Sequence, residues 1–282
     1  MNKQNYDLAV AYRIYPKVSG NPPIFKNDKR KLAESCLKSF KNCLGNLKVK
    51  LWVILDNCPP DYENIFRENF DESDLEIIRL NGVGNMATFL LQLDILLNQN
   101  YSEIVYFAED DYYYLPNQFE KMISFLQNYR EADFITPYDH LDHYTTFFHR
   151  YKSNIKSFKG KHWRTIHSTC CTFLTKKSTL KQTEKVFKIY SKETILLTTW
   201  ICLTKYKVFN FSEIAKLWFK NRTFFIFYYK AWRYGWKQII LGKRWKLWCP
   251  IPTIATHMET LCLAPIIDWE TVFKEEVHRF SR

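Results

Sequence analysis

Val105-Tyr106-Phe107-Ala108-Glu109-Asp110-Asp111 is the stretch whose reading decides the fold. Four apolar residues run directly into three acids, the pattern of a short buried strand that delivers carboxylates at its carboxyl end. Adjacent carboxylates repel one another and lose solvation when buried, so the triplet calls for a neutralising cation. Hard oxygen ligands suit Mg²⁺ or Mn²⁺, and magnesium is usually shared between one or two carboxylates and phosphates. The competing reading is an acidic, solvated turn ahead of Pro116.

Working outward, the same kind of apolar run recurs upstream. Tyr6-Asp7-Leu8-Ala9-Val10-Ala11-Tyr12 and Val49-Lys50-Leu51-Trp52-Val53-Ile54-Leu55 read as strands, the second ending in Asp56-Asn57. Leu75–Leu80 reads as a third and Asp133–Pro137 as a short later one. Between them the spacing predicts helices over 29–44 (with Asp28 as N-cap), near 61–69, over 86–99 after the turn Asn81-Gly82-Val83-Gly84-Asn85, and over 117–129. Alternation of strand and helix predicts an α/β fold with a mainly parallel, Rossmann-type sheet flanked by helices. In such sheets the ligand lies beyond the carboxyl ends of the strands. The polar clusters at Asp56-Asn57, Asn81–Asn85 and Glu109–Asp111 are therefore expected to converge on one crevice.

Composition narrows the class. The 282 residues are 46% hydrophobic and 25% charged, which excludes a disordered chain, and seven glycines and ten prolines exclude collagen-like or low-complexity sequence. No apolar run reaches the length of a membrane-spanning helix. Met1–Asn5 carries no apolar leader core, so a cytoplasmic chain is expected. The eight cysteines show no CxxC pair and read as reduced, mostly buried thiols.

The net charge of +12 is unevenly spread. Residues 143–258 hold 23 Lys/Arg against three acids, while the rest of the chain holds 18 against 26. Character changes near residue 143, giving an expected nucleotide-binding α/β half (1–142) and an acceptor-binding half (143–282) within one continuous domain. In the second half, bases interleave with rings, as in Tyr228-Tyr229-Lys230-Ala231-Trp232-Arg233-Tyr234-Gly235-Trp236-Lys237. Such a stretch suits the inner face of a cell membrane, where bases meet lipid phosphates and rings sit at the boundary. The alternatives are a plain helical subdomain and a nucleic-acid groove. The rings crowd consecutively instead of spacing out as a stacking platform, so nucleic acid is not expected as a partner.

The motifs together resemble the GT-A fold glycosyltransferases, particularly the family 2-like enzymes that use sugar nucleotides. Leu8–Tyr12 resembles their first strand, Val53-Ile54-Leu55-Asp56 the second, Gly84-Asn85 a segment beside the nucleotide, and Phe107–Asp111 the metal-binding DxD-type motif, with Glu where the first Asp is commonest. This resemblance spans about residues 6–142. Pro252–Glu259 is similar to the C-terminal segment that returns a histidine to the metal.

The resemblance implies a UDP-, dTDP- or GDP-sugar donor with Mn²⁺ or Mg²⁺ as cofactor. It makes Asp111, His257 and Glu109 the metal ligands, with Glu109 alternatively a ribose contact. Ala11, Tyr12, Arg13, Asp56, Asn85 and Asp110 become donor-binding residues, Asp56 reading the base. It also implies inverting transfer to a glycan or lipid-linked saccharide. The catalytic base is expected from Glu193, Asp139 or Asp142, and His140, His143 and His149 from the surface or the acceptor side. Two other readings stay open: a nucleotidylyltransferase, against which the absence of a glycine-rich basic loop after the first strand counts, and a non-enzymatic module binding an anionic membrane.

Overall fold

The computed structural model describes residues 6–18, 20–149, 151–192 and 195–280. The elements in chain order are β1 (Leu8–Ile14), α1 (Lys29–Leu44), β2 (Val49–Asp56), α2 (Tyr62–Arg67), β3 (Leu75–Leu80), α3 (Asn85–Asn98), β4 (Ile104–Glu109), β5 (Tyr112–Tyr114), α4 (Phe119–Asn128) and β6 (Phe134–Ile135). There follow α5 (Asp142–Thr145), β7 (Ile155–Phe158), β8 (Lys161–Ile166), β9 (Phe173–Lys176), α6 (Lys177–Phe187), α7 (Leu196–Thr204), α8 (Phe211–Lys220), α9 (Arg222–Leu241), β10 (Leu247–Ile251), β11 (Ala255–His257) and α10 (Trp269–Arg279).

Among the described residues nine strands form one sheet in the order β3-β2-β1-β4-β9-β6-β10-β8-β7. The run β3-β2-β1-β4 is parallel throughout, in the 3-2-1-4 order of a Rossmann half. β9 and β8 run against their neighbours and β6 pairs parallel with β10, so seven of the nine strands share a direction. The fold is thus α/β, with a large, mainly parallel sheet covered by helices.

Both sheet faces are buried, which is why β1 and β2 read as unbroken apolar runs and show no alternation. The period of two still divides them. Leu8, Val10, Tyr12 and Ile14 face α1, α2 and α4, where Phe40 packs against Tyr12 and Tyr106. Ala9 and Ala11, with Val105 and Phe107, face α3, α6, α7 and α9. α1 begins where Asp28 accepts a hydrogen bond from the Lys31 amide at 3.0 Å.

A second, two-stranded sheet decides the position of the site. β5 pairs antiparallel with β11, putting His257 opposite Tyr112. The Met258 amide donates to the Asp111 carbonyl at 2.8 Å. The acidic triplet therefore does not run out into a loop. It reverses into a three-residue strand, and that strand captures the chain returning from β10.

Candidate active site

The carboxyl ends of β1, β2 and β4 open on a cleft of about 610 Å³ lined by Arg13, Tyr15, Asp56, Asn85, Asp110 and Asp111, among others. This is a volume typical of small-molecule sites. A smaller hollow of about 260 Å³, beside Lys48 and Asp74, lies near the opposite strand ends.

Each acid of the triplet has its own side-chain partner. Arg13 Nη2 lies 2.5 Å from Glu109 Oε1, Lys29 Nζ 2.7 Å from Asp110 Oδ2, and His257 Nε2 3.2 Å from Asp111 Oδ2. Arg13 and Lys29 thus offset two of the three negative charges within the protein. Burial works against charge on Arg13 and Lys29, but the facing carboxylates override it and raise both pKa values. His257 behaves alike: burial lowers its pKa, Asp111 raises it further, and the net direction is up. Burial pushes Asp111 upward, yet His257 holds it down at about 2. Asp110 goes the other way, its burial outweighing the pull of Lys29.

Glu109 is held from two sides. Arg13 takes one oxygen and the Thr172 hydroxyl donates to the other at 2.9 Å. Among the described residues no group of three or more His, Cys, Asp or Glu side chains is arranged to hold a metal. Asp111 and His257 remain as a pair, and Asp111 Oδ1 is enclosed with no hydrogen-bond partner. An orphaned buried carboxylate oxygen beside an imidazole fits a Mn²⁺ or Mg²⁺ ion that takes its other ligands from phosphate oxygens and water.

Other expected donor contacts move. Ala11 and Tyr12 lie inside the sheet, Ala11 wholly buried, with its carbonyl accepting from Gln92 Nε2 at 2.7 Å, and Tyr12 packed on Phe40 and Phe66. β1 continues to Ile14, two residues beyond the predicted strand, so its cleft residues are Arg13 and Tyr15. Arg13 is buried, and its guanidinium also donates to the Asn85 carbonyl at 2.8 Å, tying β1, β4 and the start of α3 together. Asn85 is exposed at that helix start and donates to Tyr190 Oη at 3.1 Å. Asp56 accepts three backbone amides, from Gly82, Val83 and Gly84, each at 2.8 Å. It orders the turn where Gly82 and Gly84 have φ of 77° and 87°, leaving one acceptor position on Oδ2.

Of the expected bases, Asp139 is fully buried, held by Arg164 and by Tyr144 at 2.5 Å each, and is closed to an acceptor. Asp142 is more than half exposed and lies 3.7 Å from His140. A run of rings, His140–Tyr138–Tyr112–His257, links that side to the Asp111–His257 pair. Glu193 lies outside the described residues. His143 and His149, expected outside, lean inward with His167, ring centroids 4.6 to 5.9 Å apart. Burial lowers the pKa of His140, of His143 and of His149, the last to about 4. Sequence reasoning missed Lys29, Thr172 and Tyr190. Only Lys29 had a local cue, following the N-cap Asp28.

No protein-family model matches the chain, and no curated protein matches it. Solved structures do. TarS of S. aureus, residues 1–349 in complex with UDP, aligns at 13% identity and a TM-score of 0.43 over 70% of this chain and 54% of that one. The galactosyltransferase LgtC in complex with donor and acceptor sugar analogs aligns at 10% and 0.41 over 71% and 65%. A cytidylyltransferase from Leptospira borgpetersenii aligns at 12% and 0.33 over 64% of each chain. The present chain spans only a third of the longer TarS chain and under two thirds of the others. Likeness at this level does not say which residues act.

Proposed function

We propose that this protein is a glycosyltransferase that holds a nucleotide-sugar donor in the cleft at the ends of β1, β2 and β4. The observation that carries the reading is the meeting of Asp111 and His257, 146 residues apart in sequence, at 3.2 Å beside an enclosed, unpartnered carboxylate oxygen. Asp111 and His257 would hold the divalent ion, whose chemistry is to stabilise charge growing on the departing diphosphate. The amide-rich Gly82–Asn85 turn, ordered by Asp56, lines the nucleotide side, and the free Oδ2 position of Asp56 accepts from a base N–H. Arg13 fixes Glu109 and the start of α3.

In transfer, the bond between anomeric carbon and phosphate oxygen breaks as the acceptor oxygen bonds to that carbon. The acceptor proton goes to a carboxylate, for which Asp142 and Glu193 are the candidates. The acceptor is a glycan or lipid-linked saccharide, and attack in a single displacement inverts the anomeric centre.

A thermal-shift series with UDP, dTDP and GDP, each with and without Mn²⁺, tests the site, because a ligand of the native state raises the melting temperature. One nucleotide with Mn²⁺ should stabilise wild type and leave Asp111→Asn unmoved. Slow hydrolysis of the matching sugar nucleotide should accompany it. Release of pyrophosphate from a nucleoside triphosphate and a sugar phosphate would instead make the protein a nucleotidylyltransferase.

A further inference from the structure

α8 and α9 form a hairpin whose inner side is fixed and whose outer side has no protein against it among the described residues. Tyr228, Ala231, Gly235 and Ile239 recur at helical spacing and are buried against the core. A Cβ on Gly235 would come within 2.3 Å of Cys202 Sγ on α7, so α9 lies tight against α7. The opposite stripe, Ile226, Tyr229, Arg233, Trp236, Lys237 and Ile240, is exposed along the same helix. α8 buries no residue at all, and its Phe219 is 88% exposed.

This outer side mixes bases with large apolar groups. From Ile214 to the end of α9 at Leu241 there are six Lys/Arg and no acid, and Glu213 is paired with Lys216 at 2.9 Å. The cations are carried over rings, Arg222 above Trp218 at 4.8 Å and Lys237 above Trp236 at 5.6 Å. No described helix is long and apolar enough to cross a membrane.

We propose that the α8–α9 face docks flat on an anionic lipid bilayer. Charge complementarity selects this occupant. A second copy of the chain would set like charges against each other, and a nucleic-acid groove has no use for Ile226 and Ile240 on the exposed stripe. An anionic interface uses both components: phosphates meet Arg233 and Lys237, and the aliphatic and indole groups enter the boundary between headgroups and acyl chains. The proposal stands apart from sugar transfer, since it rests on a face remote in sequence from Asp111.

Flotation of the full chain with vesicles tests it, comparing pure phosphatidylcholine with an equimolar mixture containing phosphatidylglycerol. Binding should require the anionic lipid, fall with added salt, and shift tryptophan emission to shorter wavelength. Arg233→Gln with Lys237→Gln should cut partition by about thirty-fold, each basic residue contributing about fivefold. Trp236→Ser with Ile240→Ser should weaken it at all salt concentrations. These positions are exposed, and unchanged melting temperatures of the variants verify folding. Equal binding to both vesicle types, binding to neither, preference for a single-stranded oligonucleotide, or concentration-dependent dimerisation through this face would each overturn the proposal.

Discussion

Asp111 faces the His257 imidazole on one oxygen and nothing on the other, a costly state for a buried carboxylate unless a ligand completes it. Asp111→Asn keeps the shape and removes the charge. It should lower donor turnover by on the order of 10²–10³-fold, with the melting temperature near that of wild type. Donor hydrolysis and a thermal melt on the same sample measure both, and near-normal turnover would remove Asp111 from the site. Arg13 is a different case because its side chain is bonded to Glu109 and to the start of α3. Its side chain and that of Glu109 are 10% and 17% exposed, so Arg13→Met strands a buried carboxylate next to Asp110 and Asp111. Removing one member of a buried pair costs about 3–5 kcal/mol. Urea unfolding should show that loss, and the double change Arg13→Met, Glu109→Gln should recover most of it. Failure of the second change to rescue would mean that the hydrogen bonds from Arg13 to α3, and not the ion pair, hold the site.

At the scale of elements, the segment from α5 to the turn at Phe147–His149 packs against the end of β8 through three histidines. His143, His149 and His167 surround one another, and His167 stacks on Tyr206 at 3.6 Å. Burial holds all three below their ordinary pKa, His149 at about 4 and His167 at about 2, with Arg164 and Lys207 adding to the effect. The unfolded chain protonates them near 6.5, so below that pH it binds more protons than the native state. Their contribution is complete above 6.5 and declines as the pH falls toward 4, by up to about 1.4 kcal/mol per pH unit for each histidine. His257, raised by Asp111, acts in the opposite direction above 6.5. Melting temperatures at pH 7.5, 6.5 and 5.5 should therefore drop on the acid side, and His167→Phe should flatten that drop. An unchanged slope would mean that water reaches the cluster.

These elements were also the hard ones to read. β1 to β4 with α1 to α3 are legible because parallel strands buried on both faces leave continuous apolar runs punctuated by caps and glycine turns. β5 is three tyrosines hidden behind the acids, β7 is exposed at the sheet edge, and β10 carries Pro250, a residue that argues against a strand. Asp56 shows the same limit at the site. Its place at a strand end is visible in sequence, whereas its three backbone amides come from a turn 26 to 28 residues away.

Across the whole molecule, the change of charge at residue 143 does not coincide with a seam in the sheet. β9 comes from the basic half and lies between β4 and β6 of the other, bonded to both. β10 lies on the far side of β6, and β11 pairs with β5 in the small sheet. α10 reaches back as well: buried Glu276 accepts from Ser35 Oγ on α1 at 2.9 Å and from Tyr113 Oη on β5 at 3.0 Å. A fragment ending at residue 142 would expose the edge of β4, leave β6 with neither neighbour, and release β5. Open strand edges and a halved core favour aggregation over folding. The fragment should therefore lack a cooperative thermal transition by circular dichroism, while the full chain shows one. A sigmoidal melt of the isolated 1–142 fragment would make the first half autonomous. In the intact fold, that half depends on the basic one for His257, for the partner of β5 and for the helix that clamps α1, so the charge asymmetry divides the surface and leaves the core whole.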